Sequence, residues 1–349
     1  MILVTGATGH LGNVLVRKLL ERGRRVRALV LPGEPLTALN GLMVEVIVGN
    51  ILDREILKRA VADVDTVYHL AGVISILSGD DEIMHQVNVT GARNIAEASL
   101  KAGVRRLVHV SSIHAFQREP HGKIIDEKTP LAIGSTDGAY DRTKAEGTRE
   151  ALKLVEQGLN AVIVCPTGII GPYDFQGSEL GRAVLDFAAK KIHFLVNGAF
   201  DFVDVRDVAE GLILAAEKGR RGEKYILSGN RATLEQIWQM AQNCSGCRSP
   251  RLILPFKLAL FGSTFLQYYY RLLKLTPRFT PYSLQTIVDN SAFSCAKAVE
   301  ELGYTARPLQ ETIADFIAWH REYYHPHFTS KKRRPAYRIK GARATENPG

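Results

Sequence analysis

ILVTGATGHLGNVLVRKLL, residues 2–20, decides the fold. It begins with a short continuous apolar run, ILVT, and ends in an amphipathic stretch from about His10 to Arg22. A strand followed by a helix is the reading those two patterns share. Between them lie Gly6, Gly9 and Gly12 at the spacing GxxGxxG. Gly6 permits the tight turn, Gly9 lets backbone approach a pyrophosphate, and Gly12 allows close helix–strand packing. The helix N-terminus adds amides and positive dipole. A glycine pattern alone is weak, but here it has the strand–loop–helix context the mechanism needs. Gly6, Thr8, Gly9, His10, Leu11 and Gly12 are therefore the expected contacts of a dinucleotide.

The same alternation continues outward. RVRALVL (25–31), VEVIV (44–48), TVYHL (66–70), RRLVHVSS (105–112) and NAVIVCP (160–166) read as strands. Between them come a helix capped by Asp53, a long helical pattern from about Glu82 to Ala102, and another from Tyr140 to Glu156. Continuous apolar strands separated by helices predict a parallel sheet covered on both faces, the doubly wound α/β (Rossmann) architecture. Residues 1–176 are read as the dinucleotide-binding domain, with 200–227 returning to it through DFVDVRDVAEGLILAAEKG. Residues 177–199 and 228–326 are read as a smaller, mainly helical substrate-binding part, and 327–349 as a basic, disordered tail.

Composition fits a globular chain of 349 residues, 46% hydrophobic and 23% charged. No leader peptide and no span long and apolar enough for a bilayer is expected, so the expected location is cytoplasmic. The net charge of +9 invites a nucleic-acid reading. Residues 331–349 carry +6 of it, in a stretch without apolar periodicity, so a solvated terminus is preferred to a specific nucleic-acid partner. Peripheral membrane contact has no support beyond that charge. Cys244 and Cys247 form a CxxC, but no second pair completes a zinc site, and no metal is expected.

Chemistry enters at GAYDRTKAEG (138–147), where Tyr140 and Lys144 share a helix face. Spacing alone does not decide their role, because Tyr270 and Lys274 in YRLLK repeat it. At the end of the second strand an acidic residue would read a ribose 2′-hydroxyl and an arginine a 2′-phosphate. Leu31 holds that position, Arg27 precedes it and Glu34 follows it, so NAD and NADP both stay open.

TGATGHLG, GNILD (49–53), YHLAG (68–72), NVTGARN (88–94), VSS (110–112), YDRTK (140–144) and CPTGIIGP (165–172) occur in an order that resembles the extended short-chain dehydrogenase/reductases. The resemblance covers roughly residues 1–325. It implies a catalytic group of Ser112, Tyr140 and Lys144, with Tyr140 moving the proton and Lys144 lowering its pKa and holding the nicotinamide ribose. It also implies adenine contact at Asn50 and Ile51, although the family usually has Asp where this chain has Asn50. Leu70, Ala71 and Gly72 fall on the pyrophosphate side, Pro166 beside the nicotinamide, and Asn88 at a structural position. The second copy, Tyr270 and Lys274, lacks an upstream strand-end serine and is read as chance.

Within that family, dehydratases place an acidic pair after the catalytic Ser or Thr. Ile113 and His114 stand there, so dehydration is set aside. CPTGIIGP, DFVDVRDVAEG and the late TPRFTPYSLQ segment are similar to dihydroflavonol-reductase-like and 3β-hydroxysteroid-dehydrogenase-like members. The implied activity is hydride transfer between NAD(P) and a carbonyl or secondary alcohol of a small apolar substrate. The alternatives are a nucleotide-sugar epimerase with tightly bound NAD, and a non-catalytic NAD(P)-binding sensor or scaffold. The aromatics Phe256, Phe261, Phe265, Tyr268, Tyr269 and Tyr270 are read as a pocket wall, a core helix or an interfacial helix. A homodimer is left open.

Overall fold

A computed structural model describes residues 1–74, 81–136, 138–192, 194–246, 252–261 and 281–324. Tyr270 with Lys274, Cys247, Phe265, Tyr268, Tyr269 and the basic tail lie outside the described residues. Six strands build most of the main sheet: β1 (Ile2–Thr5), β2 (Val26–Val30), β3 (Val44–Val48), β4 (Thr66–His69), β5 (Arg106–Val110) and β6 (Ala161–Pro166). β7 (Gly168–Ile170), β8 (Phe194–Val196) and β9 (Ala199–Asp204) precede β10 (Lys224–Leu227), which completes it. The order is β3-β2-β1-β4-β5-β6-β10, and every pairing is parallel. The reversal between β1 and β4 makes the switch point where open α/β sheets bind ligands.

Alternate side chains of each strand feed two apolar layers. Val4, Tyr68, Val108 and Val164 pack with Leu15 and Leu19 of α1 (His10–Glu21) and Leu212 of α7 (Val205–Lys218). Leu3, Val67 and Leu107 pack on the other side, with Leu57 of α2 (Arg54–Ala60), Ile95 of α4 (Ala92–Lys101) and Leu154 of α5 (Ala139–Glu156). A sheet buried on both faces has no polar face, which is why its strands read as unbroken apolar runs. Asp53 caps α2 as expected, accepting from the Glu55 and Ile56 amides at 2.9 and 3.1 Å.

The helical pattern at 82–102 is not one helix. It runs as α3 (Asp81–His85), a wide π turn (Gln86–Gly91) and then α4. The extra residue in the turn lets Asn88 leave the helix ladder and reach the β4 loop, while α5 packs so closely that a Cβ at Gly147 would overlap the Asn88 carbonyl oxygen.

Beyond β6, helices α6 (Glu179–Ala188) and α8 (Leu234–Ser245) stand with the helix Leu309–Tyr324 around Phe187, Trp238 and Phe316. Short strands join them. β11 (Asn230–Thr233), β9 and β7 form one sheet, and β12 (Leu252–Leu254) pairs with β8. Most of these segments are three or four residues long, too short to show a period. Arg307 fixes the last helix by pairing with Asp207 of α7 at 2.7 Å. No helix among the described residues is long and apolar enough to cross a membrane.

Candidate active site

The glycine loop closes as its sequence requires. Gly6 has φ +68°, and its carbonyl takes the Gly9 amide at 3.2 Å. A Cβ at Gly12 would run into the Gly6 carbonyl, so α1 can begin this close to β1 only with glycine there. The first turn of α1 is also tied to the loop 171–177. His10 Nε2 lies 3.0 Å from the Pro172 carbonyl, Asn13 donates to Tyr173 O at 3.1 Å, and Gln176 donates to Thr8 O at 3.4 Å. Burial pushes the His10 imidazole below its ordinary pKa. Leu11 is buried against the core beneath the loop.

Glu34, three residues past Leu31, folds back onto this loop. Its carboxylate accepts from the Thr8 hydroxyl at 2.5 Å and from the Leu31 amide at 3.1 Å. Arg27 is committed elsewhere, donating to the Ala60 and Ala62 carbonyls at 2.9 and 2.7 Å and pairing with Glu45 at 2.8 Å. Asn50 turns its side chain into its own turn, accepting from the Leu52 amide at 2.9 Å. Ile51 is buried beside the π turn at Gly91.

The loop after β4 lies against the glycine loop. Ala71 donates its amide to Thr5 Oγ1 at 3.1 Å, and Leu70 donates to Thr5 O at 3.2 Å. Asn88 clamps the loop by accepting from the Val73 amide at 2.8 Å and donating to the Val73 carbonyl at 2.9 Å. A Cβ on Gly72 would lie 3.2 Å from Asn88 Oδ1 and 3.9 Å from Lys144 Nζ. The Asn88 amide also donates to Thr143 at 3.2 Å, tying this clamp to α5 one residue before Lys144. Pro166 ends β6 on the same carboxyl edge, buried beside Leu227 of β10.

Ser112 follows β5 near enough to Tyr140 to oppose the rise of the phenol's pKa, so the serine and tyrosine of the two motifs are neighbours at the sheet edge. Ser112 Oγ also accepts the His114 amide at 3.2 Å, which fixes the turn carrying it. Lys144 lies one helical turn on, but its Nζ donates to the Val110 carbonyl at 2.9 Å. The expected lowering of the tyrosine pKa is not found. Burial pushes Tyr140 up to about 12, Ser112 opposes this, and Lys144 is not among the groups that shift it. Burial pushes Lys144 itself down to about 8. Desolvation outweighs attraction because the ammonium is turned to the end of β5.

Two histidines lie sealed on the sheet near Lys144. His69 and His109 have ring centroids 5.4 Å apart, and burial pushes His69 down to about 3 and His109 well below the ordinary imidazole range. His114 is placed differently, with Nδ1 3.1 Å from Asp141 Oδ1 and its ring edge-on to Tyr140. The sequence names Glu34 and His114 but couples neither to its partner. Their partners Thr8 and Asp141 are 26 and 27 positions away, and no local pattern couples them. Among the described residues no cluster of three or more His, Cys, Asp or Glu could hold a metal.

A doubly wound sheet with this glycine loop at its switch point, and a serine, tyrosine and lysine gathered at the same edge, describes a nicotinamide-dinucleotide enzyme of the extended short-chain dehydrogenase/reductase type. Residues 2–228 match the model of the NAD dependent epimerase/dehydratase family, and the chain belongs to that family. It is 39% identical over 326 residues to sterol demethylase protein B of Methylococcus capsulatus, covering 92% of this chain and 98% of that one. It is 29% identical to 3-beta-hydroxysteroid dehydrogenase of Mycolicibacterium neoaurum, over 93% of this chain and 92% of the other. The solved structure of gox2253 superposes with a TM-score of 0.81 at 34% identity, over 93% of this chain and 98% of that one.

Proposed function

We propose that this protein is an NAD-dependent oxidoreductase that moves a hydride to or from a secondary alcohol or ketone on an apolar, sterol-like substrate. The observation that carries the reading is the placement of α5 against the end of β5: Lys144 Nζ donates to the Val110 carbonyl at 2.9 Å, two residues before Ser112, with Tyr140 one helical turn earlier on the same helix face. Bound nicotinamide would supply the hydride donor or acceptor. Ser112 and Tyr140 hydrogen-bond the substrate oxygen between them, and Tyr140 gives that oxygen a proton on reduction or takes it on oxidation. Lys144, held by the Val110 carbonyl one helical turn from Tyr140 on α5, would be a donor to ribose hydroxyls.

The choice of NAD over NADP follows from charge. Glu34 presents a carboxylate between the end of β2 and the glycine loop, where a 2′-hydroxyl is welcome and a 2′-phosphate is repelled. Arg27, the cation that could have met a phosphate, is already bonded. A cavity of about 370 Å³ lies apart from the serine–tyrosine–lysine group, with a mixed lining of Leu195, Val196, Ile253 and Ile287 beside His121, Arg231, Glu235 and Asp289, so the apolar substrate rests on the relatives rather than on that cavity. A sterol skeleton is supported by the names of the two relatives above.

The test is NADH formation from NAD⁺ and 5α-androstan-3β-ol by the purified protein, with Tyr140→Phe alongside. Turnover lost in the variant, with NADH still bound, is the expected result. Turnover retained in the variant would sink the role given to Tyr140.

A further inference from the structure

We propose that the surface formed by β8, β12 and the helical residues 256–261 docks this protein on an anionic lipid bilayer, as a peripheral contact and not a spanning one. The inference does not depend on the catalytic reading of Ser112, Tyr140 and Lys144. β8 and β12 pair in parallel, with Phe194 opposite Leu252 and Leu195 opposite Ile253. Opposite residues of paired strands share a face, and successive residues alternate between faces. Phe194 and Leu252 therefore stand together on one face. Pro255 ends the strand, and the helical turn after it carries Leu258 and Phe261, three positions apart on one side. Phe194, Leu252, Leu258 and Phe261 are 54%, 55%, 62% and 66% exposed. Exposed apolar side chains scattered singly are ordinary, but these four fall on two paired strands and the turn that follows one of them.

Charge selects the partner. From Gln236 to Val288 the chain carries six Lys or Arg and no Asp or Glu. Lys257, next to Leu258, is exposed, as are Lys190 and Lys191 just before β8. Lys191 stands 3.9 Å from Asp186, while Lys190 and Lys257 have no carboxylate partner among the described residues. The two carboxylates that bound the acid-free stretch, Glu235 and Asp289, line the cavity that Leu195 and Ile253 border, and Asp289 is held by Arg118. Exposed apolar side chains accompanied by ammonium groups match a bilayer with anionic headgroups. The apolar groups enter the boundary between headgroups and acyl chains, and the ammonium groups stay with the phosphates. A second copy docked through the same face would set like charges against like across a two-fold axis. A nucleic acid would satisfy the lysines and leave the four apolar side chains against charged phosphates.

β12 serves both features. Leu252 lies on the docking face, and Ile253, the next residue, lines the cavity. A protein seated on the bilayer through this face holds that cavity one strand away from the lipid.

The probe is phosphatidylcholine vesicles with and without about one-third phosphatidylglycerol, floated with the full chain at low and high salt. The wild type should partition onto the anionic vesicles about tenfold more than onto the neutral ones, and salt should narrow that difference. Lys257→Gln should lower anionic partition about fivefold at low salt. Leu258→Ser combined with Phe261→Ser leaves the charge unchanged and should lower it about 30-fold. NADH binding checks that each variant is folded, and Phe194→Ser on β8 serves if the double variant is unstable. A wild type that stays off both kinds of vesicle overturns the proposal. So does unchanged partition in the double variant and in Phe194→Ser, which would assign vesicle binding to the basic tail 331–349. Equal partition onto neutral and anionic vesicles would refute the role given to the lysines. A dimer lost in the same variants, with no vesicle binding, would assign the face to a second copy and overturn the bilayer.

Discussion

Glu34→Gln should move cofactor preference from NAD toward NADP. The substitution keeps the side chain's shape and removes its charge. In the folded loop the carboxylate is fixed from two sides, by the Thr8 hydroxyl and the Leu31 amide. It is half-buried at the end of β2, so water still screens it. For two unit charges about 5 Å apart in a water-rich surface with effective dielectric near 60, repulsion is about 1 kcal/mol, and a 2′-phosphate of roughly two charges doubles it. A hydrogen bond from a ribose hydroxyl to a carboxylate adds about 1.5 kcal/mol in favour of NAD. The two contributions together amount to about 3.5 kcal/mol, a several-hundredfold preference in Kd. Glutamine retains a neutral acceptor, so the variant should lose about 2–3 kcal/mol of it, a shift of roughly 30- to 150-fold in the ratio of Kd for NADPH to Kd for NADH. Both constants come from fluorescence titration of the two reduced cofactors, repeated at low and high salt. The wild-type preference should shrink as salt rises, because part of it is charge repulsion across solvent. A Kd ratio that stays within threefold of the wild type in Glu34→Gln would refute the assignment of Glu34 as the reader of the ribose.

Gly147→Ala should destabilise the fold. The new Cβ would meet the Asn88 backbone across two packed elements, at a cost of roughly 3 kcal/mol that the roughly 1 kcal/mol gained in helix propensity does not offset. Urea titration should show a net loss near 2 kcal/mol, and an unchanged midpoint would mean that α5 can move away from the π turn. Acid should also destabilise the protein, beginning below pH 6.5. His69 is held neutral down to about pH 3 when folded, whereas an unfolded histidine takes a proton near pH 6.5, so the unfolded state binds more protons as pH falls. From pH 7 to pH 5 that difference costs about 2 kcal/mol for His69, and His109 acts in the same direction. In His69→Gln the same pH change should cost about 2 kcal/mol less, and an identical acid limb in the two proteins would contradict the buried-neutral assignment.

What the sequence made legible follows from how each feature is encoded. The parallel sheet was readable because burial on both faces leaves its central strands no polar alternation, and the glycine loop because GxxGxxG is local to one strand–helix turn. The nearness of Ser112 to Tyr140 was accessible only through family resemblance, since 27 residues separate strand end from helix and no spacing rule joins them. Other features escaped for physical reasons that differ. The π turn at Gln86–Gly91 adds one residue to an otherwise regular helical pattern, and such an insertion barely disturbs a 3.6-residue period. Glu34 was seen but unassigned, because its role depends on the turn around Gly33 at φ +75°, which carries the chain back toward Thr8. Lys144 shows the opposite failure. Its position on the Tyr140 face was correct, yet helix spacing fixes only where a side chain starts, and the end of a long lysine goes to the strongest acceptor within reach. That acceptor is the Val110 carbonyl, so the ammonium is turned to the end of β5 and burial is the largest influence on Tyr140, pushing it up.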